Sequence, residues 1–380
     1  MIMKEMPEWG PLATFVPNKD RPVYNWFYYK EGFSRDLVIN LIKKFQIAKK
    51  ETVLDPFCGA GTTQLACGEH GINSTGFDVH PAAVFASVVK TRDYDVAMLK
   101  DAAGTLFEKR FEMPEAEIRS AFVRRCFNSH TLDDVIFFRD TINRIKDNET
   151  RDFLLLALMN VTMKCSYAWK DGAVIKIRKH PVPPLRKFLK RQVYRMIMDL
   201  EKFPRTNAVC ETGFGDARKI RLQDNSVDAV ITSPPYLNKI EYTKIYSIEE
   251  ELFFDMQRIP VLRSFIGTES EKVLDKKDSV ESLVEARDLP IPAIAYFSDM
   301  HQVVRELHRV CRPGAKLGIV IGNGCFPTGV VDSDTLLTRI AEKSGFMARE
   351  ILVLNKRWCT RNRVEKVGVT RESLLVWERN

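Results

Sequence analysis

Hydrophobic residues along the chain follow two alternating patterns, one with helical spacing and one of short continuous runs. Helical spacing marks the segments 35–46, 62–69, 301–310 and 336–344. Short apolar runs, which are typical of buried strands, lie at 52–55, 74–78, 208–210, 227–231, 316–321, 351–354 and 373–377. A strand, a glycine-containing turn, a helix and a second strand form the first half of a doubly wound sheet. We therefore predict an α/β fold whose last two strands are candidates for an antiparallel pair.

The pattern changes in the middle of the chain. Between residues 81 and 204 strand-like runs are scarce, and helical spacing recurs at 84–89, 136–145, 153–163 and 188–200. We predict that 1–80 begins the α/β core, that 81–204 is a mostly helical insertion, and that 205–380 completes the core. Within that last part, 213–218 is expected to be a polar loop and 238–295 an excursion. Its acidic, lysine- and serine-rich stretch 267–290 predicts an exposed loop or a small helix.

Composition excludes several classes of protein. Of the 380 residues, 45% are hydrophobic and 28% are charged, which is ordinary for a globular chain and excludes disorder throughout. No apolar run reaches the ~18–20 residues that cross a bilayer, and the first residues do not resemble a secretory signal. The eight cysteines are scattered without a C-x-x-C pair, which argues against a disulfide framework and a cysteine zinc site. We expect no metal site and a cytoplasmic location.

Positive charge is concentrated in two places. The net charge is +8, and the basic island, residues 176–195, holds eight lysines and arginines and no acid. The second basic segment, residues 355–371, holds six basic residues and one acid, Glu365. Two such clusters favour a polyanionic partner, although two solvated surfaces are the alternative.

The first motif that carries chemistry is the run DPFCGAGTT from Asp55 to Thr63, which lies between a strand and a helix. Its glycines let the backbone approach a ligand, and the helix amino terminus offers unpaired N–H groups. The dinucleotide fingerprint is excluded because Gln64 stands where its third glycine would be, and no lysine of a phosphate loop follows. An acid before the glycines would repel a pyrophosphate, so it favours a cationic group such as an ammonium or a sulfonium.

The second candidate is Asp78, which ends the next strand 23 residues after Asp55. An acid at this place accepts hydrogen bonds from ribose hydroxyls. The alternative is an aspartate that caps the helix beginning near Pro81. The glycine turn at the right distance favours ribose binding.

The third motif is SPPY, from Ser233 to Tyr236, directly after an apolar strand. Its prolines lock φ and remove two N–H donors, so their carbonyls become fixed acceptors. Together with the flat tyrosine ring, these acceptors suit a planar base that carries an exocyclic amine. An ordinary proline-rich turn is the alternative.

The combination of DPFCGAGTT with a later TSPPY resembles the S-adenosylmethionine-dependent amino-methyltransferases of DNA. The serine in the second motif is typical of the N4-cytosine branch, whereas the N6-adenine branch more often has aspartate. The resemblance implies a Rossmann-like methyltransferase sheet and covers roughly 24–78 and 208–377. In many N4-cytosine enzymes of this type SPPY comes first, whereas here DPFCG does; circular permutation would leave the site unchanged.

The resemblance implies a role for each motif residue. For the cofactor, S-adenosyl-L-methionine, it implies that Asp55 binds the methionine amino group and that Asp78 and Asp216 hold the ribose and the adenine. Phe57, Gly59 and Gly61 would shape the turn. Phe33 and Ser34 would contact the methionine end of the cofactor. The target base would be held by Ser233, Pro234, Pro235 and Tyr236.

The function that follows is methyl transfer to the N4 amine of cytosine in double-stranded DNA, within a restriction-modification system. The amine attacks the methyl group directly, so no covalent adduct is needed, and the Pro-Cys pair of cytosine-C5 enzymes does not occur. The alternatives are an adenine-N6 enzyme, an RNA amino-methyltransferase and a catalytically silent nucleic-acid-binding protein. A paired restriction endonuclease is a candidate partner.

A base must leave the duplex to reach such a site, at a cost of a few kcal/mol, so we expect a DNA grip. The first candidate is the basic island, through phosphate contacts of Lys176, Arg178, Lys179, Arg186, Lys187, Lys190 and Arg191. Which element reads bases stays open among the insertion, the excursion and the second basic segment.

Overall fold

The computed structural model describes residues 2–115, 118, 120–172, 174–237, 245–254, 266, 277–362 and 364–380. Its strands, in chain order from β1 to β12, are Ile2–Glu5, Thr52–Asp55, Asn73–Asp78, Ala168–Asp171, Val174–Ile177, Cys210–Phe214, Val227–Thr232, Cys311–Gly322, Gly324–Phe326, Gly329–Val331, Phe346–Arg361 and Glu365–Arg379.

The α-helices, from α1 to α12, are Arg35–Phe45, Thr62–Glu69, Pro81–Thr91, Val96–Glu108, Ala121–Arg125, Ser129–Asn143, Asn148–Lys164, Leu185–Lys202, Ser247–Phe253, Lys277–Val284, Ile291–Val310 and Ser333–Lys343. Short 3-10 helices lie at Pro7–Ala13, Val16–Asn18 and Tyr24–Trp26. No helix in the described ranges is long and apolar enough to cross a membrane.

The central sheet confirms the predicted doubly wound α/β fold. In the described part of the chain its strand order is β1-β11-β12-β8-β7-β2-β3-β6. The chain moves outward from β2 through β3 to β6 and then returns to place β7 on the other side of β2, with all four strands parallel. This reversal of direction is the topological switch point at which open α/β sheets bind ligands.

Neighbouring residues of each strand face opposite sides of the sheet, and each side has its own core. On one side Val53 and Leu374 pack with the apolar face of α1. On the other side Leu54 and Leu375 pack with α11 and α12. Both faces of the sheet are therefore covered, as the near-continuous apolar runs of its strands require.

The antiparallel pairing expected for the last two strands is confirmed, and it extends further than the sequence pattern indicated. β11 and β12 pair from Phe346 opposite Arg379 to Arg361 opposite Glu365. The apolar pattern marks only the residues that the sheet buries. The polar ends of both strands escaped prediction because their side chains face solvent.

The segment 81–204 is largely helical, as expected, and forms a third core with the chain's amino-terminal segment. At its centre α7 is buried continuously from Phe153 to Thr162, the burial expected of a helix surrounded by others. The structure adds α4, α5 and the hairpin of β4 and β5 to the predicted helices. The division of the chain into domains stays a prediction.

Two expectations need correction at the sheet's edge. Residues 208–210 were expected to form the strand, and 213–218 a polar loop, but β6 runs from Cys210 to Phe214. Among the strands of the described residues, β6 pairs with β3 alone and lies at the end of the sheet. An edge strand tolerates glycine and polar side chains, so the apolar pattern did not mark it.

A third correction concerns the cysteines. Cys325 in β9 and Cys359 in β11 form a disulfide, with their Cα atoms 5.5 Å apart. The spacing of the cysteines along the chain argued against such bonds. The pair is 34 residues apart in sequence, and only the approach of β9 to β11 brings it together. The remaining six cysteines are free.

The excursion predicted at 238–295 falls partly outside the described residues. Within it, α9, α10 and the first turn of α11 are helical. The expected small helix within 267–290 corresponds to α10, of eight residues. Residues 238–244, 255–265 and 267–276 lie outside the description.

A buried hydrogen bond connects the helical core to the amino-terminal segment and gives the first test. The Trp26 indole Nε1 donates to Asp199 Oδ2 of α8 at 2.9 Å, and both residues are buried. Asp199→Ala leaves that N–H without its acceptor, so we expect a loss of about 1–3 kcal/mol in the free energy of unfolding. Urea denaturation should show a lower midpoint with an unchanged m-value.

The matched control is Glu201→Ala on the same helix, because the side chain of Glu201 is 55% exposed. We expect it to change the stability by no more than about 0.5 kcal/mol. Equal losses in the two variants would contradict the structural importance of the Trp26 contact.

Candidate active site

The carboxyl ends of β2, β3, β6 and β7 meet at one edge of the sheet, where a cavity of about 580 Å³ opens. This volume is in the range of small-molecule sites. The wall includes most of the residues singled out from the sequence, namely Phe33, Asp55, Phe57, Gly59, Asp78, Asp216, Ser233, Pro234, Pro235 and Tyr236. Motifs separated by more than 150 residues in the chain thus share one cavity.

Asp55 is the most buried polar group of this cavity, with 1% of the residue exposed. Its Oδ2 accepts a hydrogen bond from the Thr63 hydroxyl at 2.7 Å, and its Oδ1 accepts one from the Thr232 hydroxyl at 2.6 Å. The Phe57 N–H also donates to Oδ1, at 3.2 Å. Burial raises the pKa of Asp55 to about 7, and these hydrogen bonds only partly oppose the shift. A nearby cation would favour its ionised form.

The glycine turn after β2 places Gly59 at φ +49°, a conformation that favours glycine. A Cβ atom there would lie 2.8 Å from the Tyr29 ring. The Gly59 N–H donates to Asp78 Oδ2 at 2.8 Å. The turn and the end of β3 therefore hold each other in place.

Gly61 is not among the residues that line the cavity, and its expected role in shaping the turn stays a prediction. It is the N-cap of α2, at φ +78°. A Cβ atom at this position would lie 2.2 Å from Ser87 Oγ of α3. A side chain at this position would prevent the close approach of α2 and α3. That contact joins distant parts of the chain, so the local sequence does not indicate it.

Asp78 stands at the end of β3, partly buried, with both carboxylate oxygens engaged. Besides the Gly59 N–H, it accepts the His80 N–H at 2.9 Å. Burial raises the pKa of Asp78. The alternative that Asp78 caps the following helix is wrong, because His80 is the N-cap and its ring accepts the Ala83 N–H.

The segment before α1 forms another wall of the cavity, through residues 28–33. Phe33 faces the cavity, whereas Ser34 does not. Ser34 is fully buried and its Oγ caps α1 by accepting the Leu37 N–H at 3.3 Å. The contact with a ligand expected of Ser34 is therefore replaced by helix capping, for which serine before a helix is a common choice.

Asp216 lies on the loop after β6, and its carboxylate is held by a neighbour. The Arg218 guanidinium donates to both of its oxygens, at 2.8–3.1 Å. Arg218 also contacts Asp299 of α11, at 3.3 Å. The Asp216 carboxylate is thus fixed at the cavity wall, and its negative charge is paired with the Arg218 guanidinium.

On the opposite wall, the SPPY motif follows β7. Pro234 is buried, and Ser233 and Tyr236 are partly exposed to the cavity. The Tyr236 hydroxyl donates to Glu372 Oε1 at 3.0 Å, while Glu372 Oε2 accepts the Asn355 side-chain amide at 3.0 Å. The Tyr236 ring lies so close to Gly322 that a Cβ there would come within 2.6 Å. β8, β11 and β12 therefore orient the ring.

No sequence pattern indicates Glu372, because its position beside Tyr236 depends on the order of strands in the sheet. A second group that sequence reasoning missed surrounds Tyr29, whose ring stacks on Tyr246 at 5.3 Å between centroids. The Tyr246 hydroxyl donates to Glu31 at 2.8 Å, and Lys170 Nζ lies 3.3 Å above the Tyr246 ring. This cluster joins the hairpin of β4 and β5 to the cavity wall.

Lys90 is another residue near the cavity that the sequence pattern did not indicate. It is buried in α3, with 1% of the residue exposed. Its Nζ donates to the Ala60 carbonyl of the glycine turn at 3.0 Å. Burial lowers the pKa of Lys90 to about 7. A lysine in an apolar helix gives no sequence signal of a contact with a turn 30 residues earlier.

The basic island begins on β5 and continues along α8, away from the cavity wall. Lys176 forms an ion pair with Asp171 at 2.5 Å, and Arg186 donates to the carbonyls of Phe107 and Lys109. The other candidates are exposed, namely Arg178, Lys179, Lys187, Lys190 and Arg191. The island is therefore a surface, with Arg186 partly used to anchor the end of α4.

Comparison with known proteins finds similarity to enzymes that methylate DNA. Residues 13–88 match the family model described as DNA methylase. The chain is 27% identical to the type II methyltransferase M.BsoBI of Geobacillus stearothermophilus, across 97% of this chain and 88% of that protein. It is 28% identical to M.AvaI of a Nostoc species, across 90% and 83%. The resemblance to S-adenosylmethionine-dependent DNA amino-methyltransferases is confirmed, and S-adenosylmethionine is the cofactor.

A solved structure of an S-adenosylmethionine-dependent methyltransferase from Methanosarcina mazei covers 89% of this chain and 96% of its own. It is 9% identical, with a TM-score of 0.33. The assignment of the fold rests on the strand order described above.

The buried Asp55 predicts a pH dependence of stability. Its pKa is about 7 in the folded protein and about 3.9 in an unfolded chain. Between these values the folded state holds more protons, so the contribution present below about pH 4 is lost as pH rises to about 7. We expect Asp55 to contribute a fall on the order of 1 kcal/mol per pH unit in urea denaturation, and Asp55→Asn to reduce the slope by that amount while the other buried acids, such as Asp78, keep theirs.

The control is Asp93→Asn, since the side chain of Asp93 is 82% exposed. This variant should keep the pH dependence of the wild-type protein. A slope in Asp55→Asn equal to that of the wild-type protein would contradict the raised pKa of Asp55.

Proposed function

We propose that the protein transfers a methyl group from S-adenosylmethionine to the exocyclic N4 amine of cytosine in duplex DNA. The observation that carries this proposal is that the acid-bearing glycine turn and the SPPY motif open into one cavity. A methyl donor and an acceptor amine could therefore meet there. The serine at the head of SPPY favours cytosine over adenine.

The cofactor half of the cavity suits a ligand that is both cationic and rich in hydroxyl groups. When bound, S-adenosylmethionine supplies an electrophilic methyl group on a sulfonium. Asp55 and Asp78 are carboxylates whose pKa burial raises, so a cationic ligand favours their ionised forms. Each carboxylate oxygen accepts more than one hydrogen bond. Asp78 can therefore bind ribose hydroxyls while it keeps the Gly59 and His80 N–H groups.

Asp216 is proposed to accept the adenine amine of the cofactor. Hydrogen bonds from the Arg218 backbone N–H and guanidinium limit the motion of this side chain, and the adenine amine would replace one of the longer ones, at 3.1 Å. Phe33 and Phe57 add apolar surface to the same cavity. The Lys90 contact with the Ala60 carbonyl keeps the turn that carries these groups in position.

The target half of the cavity offers acceptors and an aromatic plane. The Ser233 hydroxyl and the Pro234 carbonyl would accept the amine hydrogens of the base and help the nitrogen lone pair leave conjugation with the ring. Tyr236, oriented by Glu372, would stack on the base. Because no covalent adduct forms, the contribution of these residues is positioning of the amine in line with the methyl group.

The similarity to M.BsoBI and M.AvaI, both named as type II methyltransferases, supports a place in a restriction-modification system. A paired restriction endonuclease and the cytoplasmic location stay predictions.

The decisive test is mass spectrometry of nucleosides from DNA incubated with the protein and methyl-labelled cofactor. We expect the label in N4-methylcytosine. Tyr236→Ala should lose ~1–3 kcal/mol of stacking on the base and lower turnover accordingly. Tyr236→Phe, the matched control, keeps the ring and should retain most of the activity.

Calorimetry with S-adenosylmethionine separates the two halves of the site. Tyr236→Ala should bind the cofactor like the wild-type protein, whereas Asp78→Ala should bind it more weakly, by roughly 1.5–3 kcal/mol. Label in N6-methyladenine would overturn the choice of base. Label in 5-methylcytosine would overturn the mechanism.

The exposed part of the basic island predicts a salt-dependent contribution to DNA binding. Lys187→Gln/Lys190→Gln should reduce the slope of log affinity against log salt by about one unit per lost phosphate contact. The control, Lys49→Gln/Lys50→Gln, removes two exposed lysines at the amino end of β2, away from the cavity. Equal slopes in both double variants would exclude the island as a DNA surface.

A further inference from the structure

β11 and β12 continue beyond the sheet as a two-stranded ribbon. β8 pairs with β12 only from Glu372 to Glu378, whereas β11 and β12 remain paired from Lys356 opposite Arg371 to Arg361 opposite Glu365. We call residues 356–371 the ribbon; Arg363 within it lies outside the described residues. Among the described residues no strand pairs with the ribbon from outside, and the Asn323 N–H bonds only the carbonyl of Arg371 at its base.

The ribbon is held in place by several contacts along its length. The disulfide of Cys325 and Cys359 joins it to β9, and the Arg371 guanidinium donates to Asp334 of α12 at 2.8 and 2.9 Å. A Cβ at Gly368 would lie 2.7 Å from the Val330 side chain of β10. These contacts fix the position of the ribbon relative to the cavity beside it.

The ribbon stands at the rim of the cavity. Arg357 lines the cavity, as does Glu372 directly after the ribbon, and Glu372 accepts the Tyr236 hydroxyl. Arg357 is exposed, and among the described residues no carboxylate pairs with it. Lys356 and Arg371, by contrast, have acidic partners.

Trp358 lies on the ribbon face opposite to that of Arg357, since neighbouring strand residues point to opposite sides. It is 59% exposed, and Val369, its partner across the ribbon, is 39% exposed. Lys366 Nζ lies 4.3 Å from the centre of the Trp358 ring. The outer face thus combines an exposed aromatic ring, an apolar neighbour and a positive charge.

We propose that the ribbon is a wedge at the target base, with Arg357 on the phosphate of the extruded nucleotide and Trp358 against the bases left in the duplex. This inference rests on the proposed function, because a base must leave the duplex to enter the cavity. Proteins that distort DNA often insert an apolar side chain between base steps. The net positive charge of the ribbon complements a phosphate backbone.

The test uses a duplex that contains the methylated site identified by modified-base sequencing, and a second duplex with an abasic site opposite the target cytosine. Trp358→Ala should slow single-turnover methylation of the paired duplex about tenfold or more. On the abasic duplex the target is already unpaired, so the defect should shrink to less than about threefold. Val369→Ser, on the same face, should show the same trend more weakly.

Arg357→Gln should weaken binding to both duplexes and lower the salt slope by about one. The matched control is Arg349→Gln, because Arg349 lies on β11 far from the ribbon and is half-exposed. Cofactor binding by calorimetry should be unchanged in all four variants, which verifies that they fold.

Wild-type rates for Trp358→Ala and Arg357→Gln would overturn the ribbon proposal and leave the methyltransferase standing. An equal Trp358→Ala defect on both duplexes would overturn the wedge. A dimeric wild-type protein that Trp358→Ala makes monomeric, with unchanged methylation, would assign this face to self-association instead. Failure of the wild-type protein to label any DNA would contradict the proposed function itself.

Discussion

The buried carboxylate of Asp55 is the contact on which the arrangement of the cavity depends. It accepts hydrogen bonds from Thr63 at the start of α2 and from Thr232 at the end of β7. Thr232 directly precedes Ser233, so one side chain sets the distance between the glycine turn and the SPPY motif. Burying a carboxylate is unfavourable unless hydrogen bonds compensate for the lost water. The raised pKa of Asp55 shows that two threonines and one N–H compensate only in part, which leaves the site suited to a cationic ligand.

The helical insertion has a structural role besides carrying the basic island. Trp26 donates to Asp199 of α8, and the Asn160 side chain of α7 donates to the Trp26 carbonyl at 2.7 Å. These contacts fix the segment that continues to Tyr29 and Phe33 at the cavity wall. The helical segment therefore holds one wall of the cavity, and the cluster of Tyr29, Tyr246 and Lys170 adds a second connection to it.

The target half of the cavity depends in the same way on the carboxyl-terminal strands. Glu372 orients Tyr236 and is itself held by Asn355, and both residues stand where β11 and β12 leave the sheet. The ribbon and Tyr236 are thus supported by the same residues of β11 and β12. Arg357 and Tyr236 line the same cavity, so the proposed DNA contact of the ribbon and the proposed positioning of the base would share these supporting residues.

The sequence by itself determined the strand–turn–helix–strand order, the two motifs and their chemistry, because backbone conformation and short-range spacing are local properties. It also indicated that α7 is helical, since apolar residues at helical spacing need no knowledge of their partners. Only the tertiary structure decided that Gly61 lets α2 and α3 approach closely, that Cys325 meets Cys359 and that Glu372 and Lys90 support the site. Each of these depends on which distant elements become neighbours. That choice is made by the packing of the whole sheet and its helices, and it leaves no periodic signal around the residues concerned.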